Sequence, residues 1–139
     1  PMFLAYMDEP KDSGKVHSDV RERWKRGDAD VVTAMRTFAE FTTEGRHALL
    51  ERDYAAFADL MDRNFDLRRS IFGDAVIGAH NLEMISIARE HGAAAKFSGS
   101  GGAVVGTPRE SGSMDAIRAA YIDAGYSFVI VEPDAKPNA

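Results

Sequence analysis

The opening apolar run "MFLAYM", positions 2 to 7, is closed by the polar "DEP". A short apolar segment bounded by turn residues reads as a buried strand. "KDSGKVHSD" follows, polar and glycine-bearing, and reads as a loop. Ser13 or Ser18 is placed to cap a helix that carries Val20 and Trp24 and stops at Gly27. "DAD", 28 to 30, offers the next cap. From Val31, the positions Val32, Met35, Phe38, Ala39 and Leu49 predict a long helix with Gly45 as its weak point. Tyr54, Phe57, Leu60, Met61, Phe65, Leu67 and Phe72 repeat that period, with Asp53 as cap and Gly73 as stop.

A third amphipathic stretch, "AHNLEMISIAREHG", turns Leu82, Ile85 and Ala88 one way and ends at Gly92. Two strand candidates follow, Ala93–Phe97 and Ala103–Val105, split by Gly99-Ser100-Gly101-Gly102. "PRESGSMD" reads as a loop, "MDAIRAAYIDAG" as a short helix and "YSFVIVEP" as a final strand. The tail, 133 to 139, should fray. Strands and helices mixed in this order predict an α+β domain: a largely antiparallel sheet of about four strands with helices packed on one face. Trp24, Phe38, Phe57, Phe65 and Phe72 fall at helical spacing and are expected in the core.

Composition narrows the function classes. With 139 residues, the chain is long enough for one core without staples. A net charge of -5 leaves no cationic excess for nucleic acid or an anionic membrane. No apolar run has the length of a bilayer span. The first ten residues lack the pattern of a secretory leader, and a cytoplasmic protein is expected. Cysteine is absent, which removes thiol catalysis and disulfides. The four histidines, His17, His47, His80 and His91, have no metal-site spacing, and His91 beside Gly92 fits a cation at a helix end. Asp59 and Asp62 read as a solvated helix face.

The glycine cluster admits two readings. No lysine and Ser/Thr pair closes it as in a Walker A loop, and the β-prone "AVV" follows where a dinucleotide fingerprint would open a helix. It is then a hairpin turn, its glycines supplying positive φ. The same freedom lets successive amides converge as an anion nest, with Ser98 and Ser100 adding hydroxyls. Lys15 and His17 lie in the loop after the first strand, either as a solvated helix approach or as contacts for an anionic substrate. Asn64 and Arg68 are four apart and share a helix face. Arg68 and Arg69 either favour the helix C-terminal dipole or fork onto a carboxylate or phosphate.

The stretch "HGAAAKFSGSGGAVVG" resembles the third motif of the GHMP small-molecule kinases, a glycine-rich loop between two strands of their C-terminal domain. Gly92-Ala93 precede it and Lys96 stands just before it. "PMFLAYM", "DSGKVHSDVRERW" and "NFDLRRSIFGDAVIGAHNLEMISIAR" are similar to the C-terminal half of the superfamily's glucuronate-kinase branch. The loop has fewer glycines than the superfamily's usual Gly-Ala-Gly-x-Gly-Gly form.

The resemblance implies a GHMP kinase C-terminal domain over 1–132 of an enzyme that moves the γ-phosphoryl of ATP, with Mg²⁺, onto the anomeric hydroxyl of D-glucuronate. It also implies that Ser98, Gly99, Ser100, Gly101 and Gly102 brace phosphates, while Lys15, His17, Arg68 and Arg69 meet the sugar acid. The superfamily's ATP loop and usual catalytic aspartate belong to an N-terminal domain, and neither motif occurs here. That partner, in the same or a separate chain, is therefore expected. This chain alone is expected to be inactive, to hold no catalytic residue, metal or cofactor, and to self-associate through an uncovered apolar face. The alternative from a different class is a non-catalytic α+β ligand-binding or regulatory module.

Overall fold

A computed structural model describes residues 1–8 and 18–132. The order is β1 (Met2–Tyr6), α1 (Ser18–Arg26), α2 (Ala29–Glu51), α3 (Tyr54–Phe72), α4 (Asp74–Ile77), α5 (Ala79–Glu90), β2 (Ala93–Phe97), β3 (Ala103–Pro108), α6 (Met114–Asp123) and β4 (Ser127–Val131). Ser13 and the tail lie outside the described residues. The four strands form one antiparallel sheet in the order β2-β3-β1-β4, the α+β plan that the sequence predicts.

The register assigns each side chain to a face, because directly paired residues point the same way. Phe3 pairs with Gly106 and Ile130, and Ala5 with Val104 and Phe128. Ala95 continues the first row and Phe97 the second. This inner face meets Met84, Ile85 and Ala88 of α5 and Ile117 and Tyr121 of α6 in the main core. The buried Tyr121 hydroxyl donates to the Met84 carbonyl at 2.6 Å, so burial leaves it satisfied. On the outer face stand Met2, Leu4, Tyr6, Val105, Val129 and Val131.

α3 runs past the β2 edge and touches both faces. Its Phe65 meets Phe97 edge-on at 5.5 Å, while Ala58 and Met61 pack on Ala94. Asp62 pins this contact. It accepts from the Ala95 amide at 3.2 Å and from Arg109 at 2.8 Å and Arg89 at 3.3 Å. Its carboxylate is only 20% exposed, so Asp62, expected on a solvated face, is in fact a staple between α3, α5, β2 and Arg109 just after β3, whereas Asp59 is solvated as expected, at 63% exposure. Asp59 joins it through Arg109 at 2.7 Å.

Caps and stops fall mostly where the local chemistry places them. Asp53 accepts from the Ala56 amide at 2.9 Å, and Gly73 ends α3 at φ +78°. Asp28 stands at the α2 N-terminus but makes no cap bond; its carboxylate pairs with Arg26 at 3.0 Å instead. Gly45 does not interrupt α2, because neighbouring turns and the α3 contact carry the helix through it. Trp24 is corrected from core to surface, at 55% exposure. Val20 and Arg23 anchor α1, the latter through Asp28, Asp30 and the Ile71 carbonyl, which leaves the indole in solvent. The one-turn α4 was not predicted, being too short to show a period. Among the described residues no helix is long and apolar enough to cross a membrane.

Candidate anion site at the glycine loop

The glycine cluster is a hairpin loop between β2 and β3. The ladder ends at Phe97 and Val104, and the Ser98 amide donates to the Ala103 carbonyl at 3.2 Å. Gly101 at φ +133° and Gly102 at φ +79° occupy conformations that side chains resist. Three tethers hold the loop. The Gly102 amide donates to Asn81 Oδ1 at 2.8 Å, the Met7 amide donates to the Gly102 carbonyl at 3.0 Å, and Arg68 Nη1 donates to the Gly99 carbonyl at 2.9 Å. Among the described residues, the amides of Gly99, Ser100 and Gly101 donate to no protein group. The hairpin therefore supplies the turn and also leaves a run of free donors.

Asn81 is a loop partner that no sequence motif marks. Its Nδ2 donates to the Ile77 carbonyl at 2.7 Å, which fixes the amide so that Oδ1 faces the loop. A Cβ at Gly101 would come within 3.2 Å of that Nδ2. The one available signal was an Asn in the first turn of a helix following a glycine, which is too common to be specific.

The two candidate arginines part company. Arg69 forks onto Asp74 at 2.6 and 2.8 Å on the surface, and this pairing raises the guanidinium's pKa and lowers that of the carboxyl. Arg68 has no carboxylate partner among the described residues. Its guanidinium lies 4.9 Å from the centre of the Phe97 ring and 5.3 Å from that of Phe72, and burial lowers its pKa. Lys96 is half-buried beside it, its Nζ donating to the Phe97 carbonyl at 2.7 Å. Burial, and then the charge of Arg68, depress the Lys96 pKa. Lys15 and His17 lie outside the described residues. Among the described residues no three His, Asp or Glu are grouped to hold a metal ion.

Between the α2–α3 pair and the outer sheet face runs an open groove of about 620 Å³. Asn64 and Lys96 line it along with Phe41, Leu49, Phe57 and Val105. Asn64, one turn before Arg68, thus lines the same recess as Lys96.

A family model, "GHMP kinases C terminal", matches residues 46–127. Probable glucuronokinase 2 of Arabidopsis thaliana is 57% identical over 105 residues, and glucuronokinase 1 of the same plant is 51% identical over 105. Each match covers 76% of this chain but 29% of the relative, so the chain spans about three tenths of the length of these curated relatives. Among solved structures, a Lin0012 protein from Listeria innocua superposes with a TM-score of 0.81 at 14% identity, covering 94% of this chain and 38% of that one. L. major mevalonate kinase in complex with R-mevalonate gives 0.74 at 24% identity, covering 97% of this chain and 43% of the other. At such identities these two speak for the fold.

Proposed function

The chain belongs to the C-terminal family of the GHMP kinases, and from that premise we propose that it forms the C-terminal part of a glucuronate kinase. In the complete enzyme the γ-phosphoryl of ATP passes to the anomeric hydroxyl of D-glucuronate, giving glucuronate 1-phosphate and ADP. The observation that carries the reading is the 57% and 51% identity to two glucuronokinases over 105 residues each, 76% of this chain.

Phosphoryl transfer depends on positioning and charge stabilisation more than on covalent chemistry. The free amides of Gly99, Ser100 and Gly101 suit the bracing of phosphate oxygens, with Ser98 and Gly102 closing the loop. Arg68, lacking a carboxylate of its own, suits the sugar acid better than Arg69, which already holds Asp74. We assign the ATP loop and the catalytic aspartate to an N-terminal domain, in the same or a separate polypeptide. A cytoplasmic setting fits a reaction that draws on ATP.

The test pairs this chain with an N-terminal domain carrying the ATP loop. Incubate the pair, and the chain alone, with ATP, Mg²⁺ and D-glucuronate, and follow ADP and the sugar phosphate. The pair should turn over and the chain alone should not. Robust turnover by the isolated chain overturns the division of labour. A pair that phosphorylates no sugar acid overturns the kinase reading itself.

A further inference from the structure

Several described cations have no carboxylate within reach, namely Arg21, Arg36, Arg46, Arg52 and Arg118, and all five are exposed, where water solvates them. Arg68 and Lys96 also lack one, yet both are half-buried, and they bond carbonyls only two residues apart, those of Gly99 and Phe97. Desolvating two like charges side by side is unfavourable unless an anion completes the set. Neither side chain is free to swing away. Arg68 is fixed by the Gly99 carbonyl and two aromatic rings, and Lys96 by the Phe97 carbonyl. Both tethers end beside the amides of Gly99, Ser100 and Gly101, which have no acceptor among the described residues.

We propose that Arg68 and Lys96 together form one oxyanion site at the root of the glycine loop, built for a single carboxylate or phosphoryl group. Arg68 contributes a planar fork and Lys96 a point charge. Lys96 is thus a second cation of the recognition site, a role that its place before the loop did not reveal. The site deepens the kinase reading, but it is tested by binding, so the two can fail separately.

Three probes are titrated into the full chain: inorganic phosphate, D-glucuronate and D-glucose. Calorimetry and the NMR signals of the Lys96 side chain report binding. At least one anion should bind and shift the Lys96 signals, and glucose should not. Phosphate alone identifies a phosphoryl reader, glucuronate alone a carboxylate reader, and both outcomes support the site. Lys96→Met and Arg68→Met should each weaken the anion about tenfold or more, and the double variant little further, because the two act on one ligand. Lys96→Arg should keep most of the affinity. Melting of each variant without ligand guards against misfolding, and Lys96→Met should melt no lower than the parent, since it removes a half-buried like charge. The proposal falls if no anion moves the Lys96 signals. It also falls if Lys96→Met binds phosphate and glucuronate as the parent does, or if the two losses simply add.

Discussion

Two adjacent arginines on one helix differ in what surrounds them. Successive residues on a helix point about 100° apart, so Arg68 and Arg69 cannot share a task. The sequence placed both near a helix end and could not choose between them. The choice lies in the distant Gly99 carbonyl, which takes Arg68, and in Asp74, which takes Arg69. In the complete kinase, Arg68→Ala should lower kcat/KM for glucuronate roughly ten- to a hundredfold, the worth of a charge-assisted hydrogen bond of about 1.5–3 kcal/mol. Use of a neutral sugar should fall less. Arg69→Ala should leave the ratio of acid to neutral sugar unchanged. Steady-state rates with glucuronate and glucose check both, and an equal effect of the two substitutions would return the carboxylate to another reader. Lys96 adds a pH signature. Its folded pKa is lowered by burial and then by Arg68. Between that lowered value and the ordinary lysine value the unfolded chain binds more protons, so stability should rise with pH across that alkaline window. Urea titrations at several alkaline pH values should show the rise in the parent and its loss in Lys96→Met. A parent profile matching that of the variant would refute it.

At the scale of elements, most of the fold was legible because the core-facing helices are long enough to show their period. α2 and α3 each span several turns, and α3 carries a side-chain cap at Asp53 and a glycine stop. What local pattern cannot carry is the partner of a face. Trp24 sits on a short polar helix with one buried contact, Val20, and Asp62 looked like any acid on a wet helix until β2 came alongside. Gly106 is another such position. It pairs with Phe3, and a Cβ there would lie 2.3 Å from the Phe3 ring and 2.7 Å from the Ala94 carbonyl oxygen. The ring cannot withdraw from a closed core, and the carbonyl belongs to the adjacent strand. Gly106→Ala should therefore destabilise the domain by about 1–3 kcal/mol, as overpacking does. Chemical denaturation reads it directly, and a variant as stable as the parent would mean that the Phe3 layer is looser than its burial implies.

The whole molecule presents a sheet with unequal faces. The inner face is covered by α5 and α6 except at Ile130, 37% exposed, whereas the outer face is roofed by the α2–α3 pair only toward the β2 edge. Toward β4, Val129 and Val131 stand 44% and 40% exposed, beside Leu4 and Met2 on β1. β4 is also an edge strand, with one side of its backbone unpaired within the sheet. An apolar face continuous with an open strand edge favours association, and charge on such an edge opposes it. The chain alone should therefore show a weight-average mass that climbs with concentration in sedimentation equilibrium. Val129→Lys combined with Val131→Lys places two like charges on the face without touching the inner core, and should hold the chain monomeric at the same concentrations. If the face is where the N-terminal domain sits in the complete kinase, the same pair of lysines should weaken assembly of the two domains supplied as separate chains. Far-UV circular dichroism of the variant must match the parent for either result to count. A parent chain that stays monomeric throughout would show that the outer face is tolerated in water as it stands.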